Sequence, residues 1–152
     1  MAMLSSSCDK VDVPHTGDTS GNLYGVWALQ TKTEVSGTIS DKEPTTKEVD
    51  YSSVHFYLAF GEIPFPHAIA KKGSFTSLDL DDVDVDAVTI TYNADQKKIS
   101  FKDPIWLSDQ LLKYNMILDG TFDVLELTDK KFVIEQGNST VGTTTYSFTR
   151  FE

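Results

Sequence analysis

From Leu23 to the end, the chain is written in short runs in which large apolar side chains alternate with polar ones. A strand sends successive side chains to opposite faces, so such a run has one greasy and one wet side. Ile99 and Phe101 oppose Ser100 and Lys102, Phe122 and Val124 oppose Asp123, Phe132 and Ile134 oppose Val133 and Glu135, and Tyr146 and Phe148 oppose Ser147 and Thr149. Earlier, Trp27 and Leu29 share a face, as do Val54, Phe56, Leu58 and Phe60. Turn residues divide the runs at Asn93-Ala94-Asp95, at Asp119-Gly120 and at Thr128-Asp129-Lys130. Asp-Gly in particular accepts the positive φ angles of a two-residue hairpin. The pattern predicts strands at 23–34, 51–60, 69–77, 87–92, 97–102, 113–118, 121–127 and 131–136, with a ninth at 143–151. So many antiparallel strands exceed what one open sheet favours, and closure removes the exposed edges. The expected fold is all-β, an antiparallel up-and-down β-barrel of about eight strands.

Two segments break the alternation. In "DPIWLSDQLLK" (103–113), Pro104 stands near the start and Leu107, Leu111 and Leu112 are spaced as in one amphipathic helical turn. It predicts a short helical cap over one mouth of the barrel, carrying Trp106. Residues 8–22, "CDKVDVPHTGDTSGN", are polar and lack either period, which predicts a tether. The chain therefore divides into a signal remnant and flexible tether at 1–22 and one barrel domain at 23–152.

Composition narrows the function classes. The 152 residues carry 13 basic and 23 acidic side chains, a formal charge of 13 − 23 = −10. Such a chain repels a phosphate backbone, so nucleic acid is an unexpected partner. The single cysteine, Cys8, excludes an intramolecular disulfide, and the core must hold the fold, helped by nine Phe, six Tyr and two Trp. No run reaches the ~20 apolar residues of a spanning helix. Ahead of Cys8 stand Met1 to Leu4 and three serines, which look like the tail of a signal peptide. Cys8 then reads as an attachment point for lipid, the alternative being a free thiol on the tail; several acyl chains on it would give a lasting membrane anchor.

The first strand contains Gly25-Val26-Trp27 and the last, "TTYSFTRF", contains Arg150. This pairing resembles the lipocalin-like barrels, in which a Gly-x-Trp on the first strand closes the floor and a final-strand Arg packs over the indole. With "LSSSC", the closer likeness is to small lipocalin-like lipoproteins of Gram-negative gut bacteria, over about residues 21–152. The resemblance implies closure by Gly25, Trp27 and Arg150, a lipid on Cys8, a place in the bacterial cell envelope (outer membrane or periplasm), and no cofactor. One departure is visible: Leu4 stands four residues before the cysteine, and Ser5 takes the place three before it where that family has its leucine.

Other chemistry does not assemble. The run "LDLDDVDVDA" (78–87) fails the calcium-loop template, since counting from Asp82 the sixth and twelfth positions are Ala87 and Asn93, not Gly and Glu. His15, His55 and His67 lack the spacing of a zinc set, and no serine sits in a nucleophile turn. Metal and catalytic residues are therefore not expected, and two functional readings remain. In one, the barrel binds a small hydrophobic or amphipathic molecule, lined by Phe56, Phe60, Phe101, Trp106, Met116 and Phe122, any of which can equally be core packing. In the other, a filled barrel acts as a protein-interaction or assembly module, presenting exposed Tyr57, the Pro-bracketed Phe65 and the Asp-rich run.

Overall fold

The computed structural model describes residues 17–39, 43–73, 85–109 and 113–151. They form nine strands: β1 (Gly25–Ser36), β2 (Thr46–Asp50), β3 (Phe56–Gly61), β4 (His67–Lys72), β5 (Val85–Asn93), β6 (Lys98–Asp109), β7 (Tyr114–Leu127), β8 (Lys131–Asn138) and β9 (Gly142–Arg150). Each pairs antiparallel with its neighbours in the order β2-β1-β3-β4-β5-β6-β7-β8-β9, and β1 also pairs β9, which closes the sheet. β2 and β3 occupy the same edge of β1: β3 pairs Gly25–Ala28 and β2 pairs Thr31–Val35. They act as two halves of one broken strand. The barrel is thus eight-stranded, as the alternation predicts.

Alternate side chains fill the bore, and the largest of them meet across it. Phe60 of β3 touches Phe132 of β8 (centroids 5.8 Å apart) and Phe101 of β6 (6.4 Å), strands that lie three places away around the barrel on either side. Contacts Phe101–Phe122, Phe122–Tyr146, Tyr146–Phe148 and Phe148–Phe132 complete a circuit of six rings at 5.6–6.5 Å. Phe60 can reach so far because the inward residues of β4 beside it are Ala68 and Ala70. The lower half of the bore is therefore an aromatic plug. At tilted and edge-on spacings like these, each ring pair adds about 0.5–1.5 kcal/mol to its burial.

The structure corrects four expectations. The helical cap is not seen: β6 runs as a strand through Pro104 and Leu107 to Asp109, while Leu111 and Leu112 lie outside the described residues. Pro104 is tolerated because it sits in a bulge, where four steps of β6 (Phe101 to Ile105) oppose two of β7 (Gly120 to Leu118). Asp119-Gly120 is no hairpin turn; β7 continues through it, and Gly120, at φ +79°, supplies the bend opposite that bulge. Trp106 therefore rides on the outer face of β6, 58% exposed and paired with Ile117, and does not line the interior. Tyr57 is buried, its ring 4.9 Å from that of Phe151, so it is not part of an exposed surface.

Candidate functional site

At the lower end, Trp27 and Arg150 face each other in the β1–β9 register, with the guanidinium carbon 4.2 Å from the centre of the indole. The fully buried indole donates its N–H to the Leu23 carbonyl at 2.8 Å. Arg150 donates to the carbonyls of Asp129 (2.7 Å), Tyr24 (3.2 Å) and Asn22. One side chain thus joins the last strand, the β7–β8 turn and the chain entering β1. The entering chain is fixed at the same end, since Leu127 N–H donates to Asp18 and Gly21 N–H donates to Leu127. Gly25 begins β1 at φ +141°, a backbone conformation suited to glycine. These three residues build a floor, and their role is structural.

The upper end is polar, and an irregularity in β1 makes it so. The β1–β9 register slips between Leu29 and Thr31, so Leu29 and Lys32 both point into the bore, where strict alternation would have sent Thr31 inward. Lys32 Nζ lies 5.8 Å from the centre of the Tyr146 ring and donates to Asn115 twice, to its side-chain oxygen at 2.8 Å and its main-chain carbonyl at 3.2 Å. Asn115 belongs to β7, across the bore from β1. From the break between β2 and β3, Tyr51 reaches the same residue: its hydroxyl accepts the Asn115 N–H and donates to the Asn115 carbonyl, both at 3.1 Å.

These contacts answer a backbone need. β8 pairs β7 only over Asp123–Leu127, which leaves the upper edge of β7 without that neighbour. Side chains take its place. The Tyr146 hydroxyl accepts from Ile117 N–H (3.0 Å) and donates to the Ile117 carbonyl (3.2 Å), while Gln136 donates to the carbonyls of Asp119 (2.7 Å) and Thr121 (3.0 Å). With Tyr51 and Lys32 at Asn115, the odd-numbered row of β7 from 115 to 121 is met by side chains instead of a strand. An unpaired buried backbone group costs about 1–3 kcal/mol, which is why polar residues are retained in this otherwise apolar bore.

Burial governs the electrostatics here. Desolvation pushes the Lys32 ammonium below its usual pKa; the nearby Glu34 carboxylate opposes that shift, and Lys47 adds to it. Desolvation also pushes the Tyr146 hydroxyl up to about 12 and raises that of Tyr51. Beyond Lys32 on the same face come Glu34 and, opposite it in register on β2, Lys47. They line a groove of about 390 Å³ that also takes in Ser36, Thr45 and Thr144 and opens to solvent at the upper end of β1.

Of the residues expected to line a ligand, Phe56, Phe60, Phe101, Met116 and Phe122 all face the bore and are at most 3% exposed. Phe60, Phe101 and Phe122 belong to the ring circuit, whereas Phe56, against Tyr51 at 5.9 Å, and Met116, beside Asn115 on β7, lie toward the polar end. Cys8 and Asp79 to Asp84 lie outside the described residues. The polar cluster of Lys32, Tyr51, Asn115 and Tyr146 was missed by sequence reasoning. Its one local signal is a lysine directly after "ALQT", and without the bulge its parity reads as outward. Comparison with protein-family models, with curated proteins and with solved structures finds no match to this chain.

Proposed function

We propose that this chain is a lipid-tethered, non-enzymatic protein of the bacterial cell envelope whose barrel binds a small hydrophobic or amphipathic molecule at the upper end of its bore. The observation that carries the reading is the groove of about 390 Å³, continuous in register with a buried polar layer that sits above apolar walls. Small ligands are held where a few convergent polar groups stand against apolar walls; here the groove lining is mostly polar and the apolar walls are those of the bore beneath it. The aromatic plug limits the ligand to the upper half, so its apolar part would lie near Phe56, Met116 and Leu118. The position of the tether supports the same reading. Asp18 and Gly21 are bonded at the floor end, so acyl chains on Cys8 would draw the floor toward the bilayer and leave the groove facing away. Native mass spectrometry of the full-length protein from its own source tests both parts. The expected spectrum has acyl mass on Cys8 and a bound small molecule released on activation; a bare, unmodified mass would remove the reading.

A second reading is favoured by the plug itself. Rings that meet across the bore suit a filled barrel acting as an interaction or assembly module in the envelope. Its surface would be the outer face of the β6–β7 hairpin, where Trp106 and Ile117 are 58% and 45% exposed, together with Phe65 in the β3–β4 turn. In that case Trp106→Ser lowers cross-linking to an envelope protein and leaves small-molecule retention at zero in parent and variant alike.

A further inference from the structure

We propose that Lys32 is the recognition group for a ligand with a single negative charge on its head and an apolar tail, the ammonium meeting the head where the bore opens into the groove. The inference rests on the small-molecule reading above and adds the chemical class. Lys32 is 9% exposed, and its bonded partners are neutral: two oxygens of Asn115 and the face of Tyr146. An ammonium has three protons to give, and Asn115 takes two. The charged neighbours Glu34 and Lys47 act on it in opposite directions, and neither bonds it. Burying a charge without a bonded counter-ion is costly, whereas an anion in contact returns much of that cost as a charge-assisted hydrogen bond. The hydroxyls of Tyr51 and Tyr146 cannot serve instead, because each already gives its proton to a β7 carbonyl. The groove itself is lined by Glu34 and Lys47, whose charges cancel, and Lys32, two residues below Glu34 on the same face, adds the +1 that fits a monoanion although the chain as a whole is at −10. A lysine needed only to tie β7 to β1 would not require a charge, since a neutral donor could bond the same oxygens.

Isothermal titration of the full chain at about 0.15 M salt tests this with three probes: decanoate below its micelle concentration, decan-1-ol below its solubility limit, and acetate. Decanoate should bind about tenfold to a hundredfold more tightly than decanol, the range expected for a hydrogen bond to a charged group. Acetate, which lacks the tail, should bind far more weakly than either. Lys32→Met should erase the preference for decanoate and leave decanol binding in place. Should that variant fail to fold, Glu34→Gln decides the point: Glu34 is exposed, and removing its charge should tighten decanoate severalfold without changing decanol. Equal binding of decanoate and decanol overturns the role of Lys32 and leaves the small-molecule reading standing. Acetate binding as tightly as decanoate, a preference that survives Lys32→Met, or no response to Glu34→Gln overturns it as well. If neither long-chain probe binds, both the inference and the reading beneath it fall.

Discussion

Arg150→Met should destabilise the fold by about 2–3 kcal/mol, because this one side chain carries most of the side-chain ties at the floor. The guanidinium stacks on Trp27 at 4.2 Å and donates to three carbonyls from separate parts of the chain. A cation over an indole is worth ~0.5–2 kcal/mol depending on desolvation, and with Trp27 fully buried but Arg150 only half-buried the middle of that range, about 1 kcal/mol, applies. The three carbonyls lie at the barrel's edge, where water can replace the lost donor, so each adds only about 0.5 kcal/mol, the low end for a hydrogen bond. With a urea slope of about 2 kcal/mol per molar for a domain of this size, the midpoint should fall by about 1–1.5 M. The measurement is best made in a Trp106→Phe background. Trp106 is 58% exposed and would dilute the signal of Trp27, which then reports the floor alone. Far-UV circular dichroism followed in parallel tests whether floor and barrel unfold together. Arg150→Lys keeps a cation over the ring but loses the fork, and should fall about midway. A midpoint for Arg150→Met within about 0.3 M of the parent would show that the floor does not need the guanidinium, and would refute closure by the Trp27–Arg150 pair.

Two further outcomes follow from groups higher in the barrel. The Tyr146 hydroxyl is held up to about 12 by burial, against about 10 in an unfolded chain, so above pH 10 the unfolded state loses its proton first. Stability is then full below pH 10 and declines through pH 12 by about 3 kcal/mol, with the raised hydroxyls of Tyr24, Tyr51 and Tyr92 acting in the same direction; urea midpoints that stay level from pH 9.5 to 12 would contradict this. Gly120→Ala should cost about 1 kcal/mol and Gly120→Asn less, because the position sits at φ +79° yet the nearest atom to a new Cβ, Gln136 Nε2, is an unstrained 3.5 Å away; thermal melts in which Ala and Asn behave alike would argue against a backbone cause.

The barrel itself was legible because its inward residues keep strict alternation wherever the strands pair regularly: Phe132 and Ile134, Tyr146 and Phe148, Leu58 and Phe60. The closure pair was legible too, since Trp27 and Arg150 are large, distinctive and set at opposite ends of the domain. What alternation could not reveal are the places where it slips. At Asp119-Gly120 a dipeptide that favours a tight hairpin instead bends a 14-residue strand, because the bulge around Pro104 on β6 needs a positive φ opposite it. The same bulge keeps Trp106 on the outer face, whereas a helical spacing of Leu107, Leu111 and Leu112 would have turned it toward the mouth. At β1 one extra residue carries Lys32 inward. Bulges leave little mark in a single sequence, since the residues flanking them obey the pattern on each side.

Those slips are also where the molecule departs from a plain packed barrel. Below them, residues of regular parity make a plug in which Phe60 meets Phe132 and Phe101 across the bore, and the one polar atom among its six rings, the Tyr146 hydroxyl, is already bonded to Ile117. Above them, the bulge in β1 delivers an ammonium, the break between β2 and β3 delivers Tyr51, and the short β7–β8 pairing leaves backbone groups that these side chains and Tyr146 must satisfy. Each device costs backbone pairing, and a chain selected for stability alone could have filled the upper bore with aliphatic residues, as it filled the lower with aromatic ones. The three devices converge on a few side chains beside one solvent-open groove. That convergence is the reason to seek any small-molecule chemistry of this barrel at the end away from Trp27, with Lys32 as its only buried ammonium among the described residues.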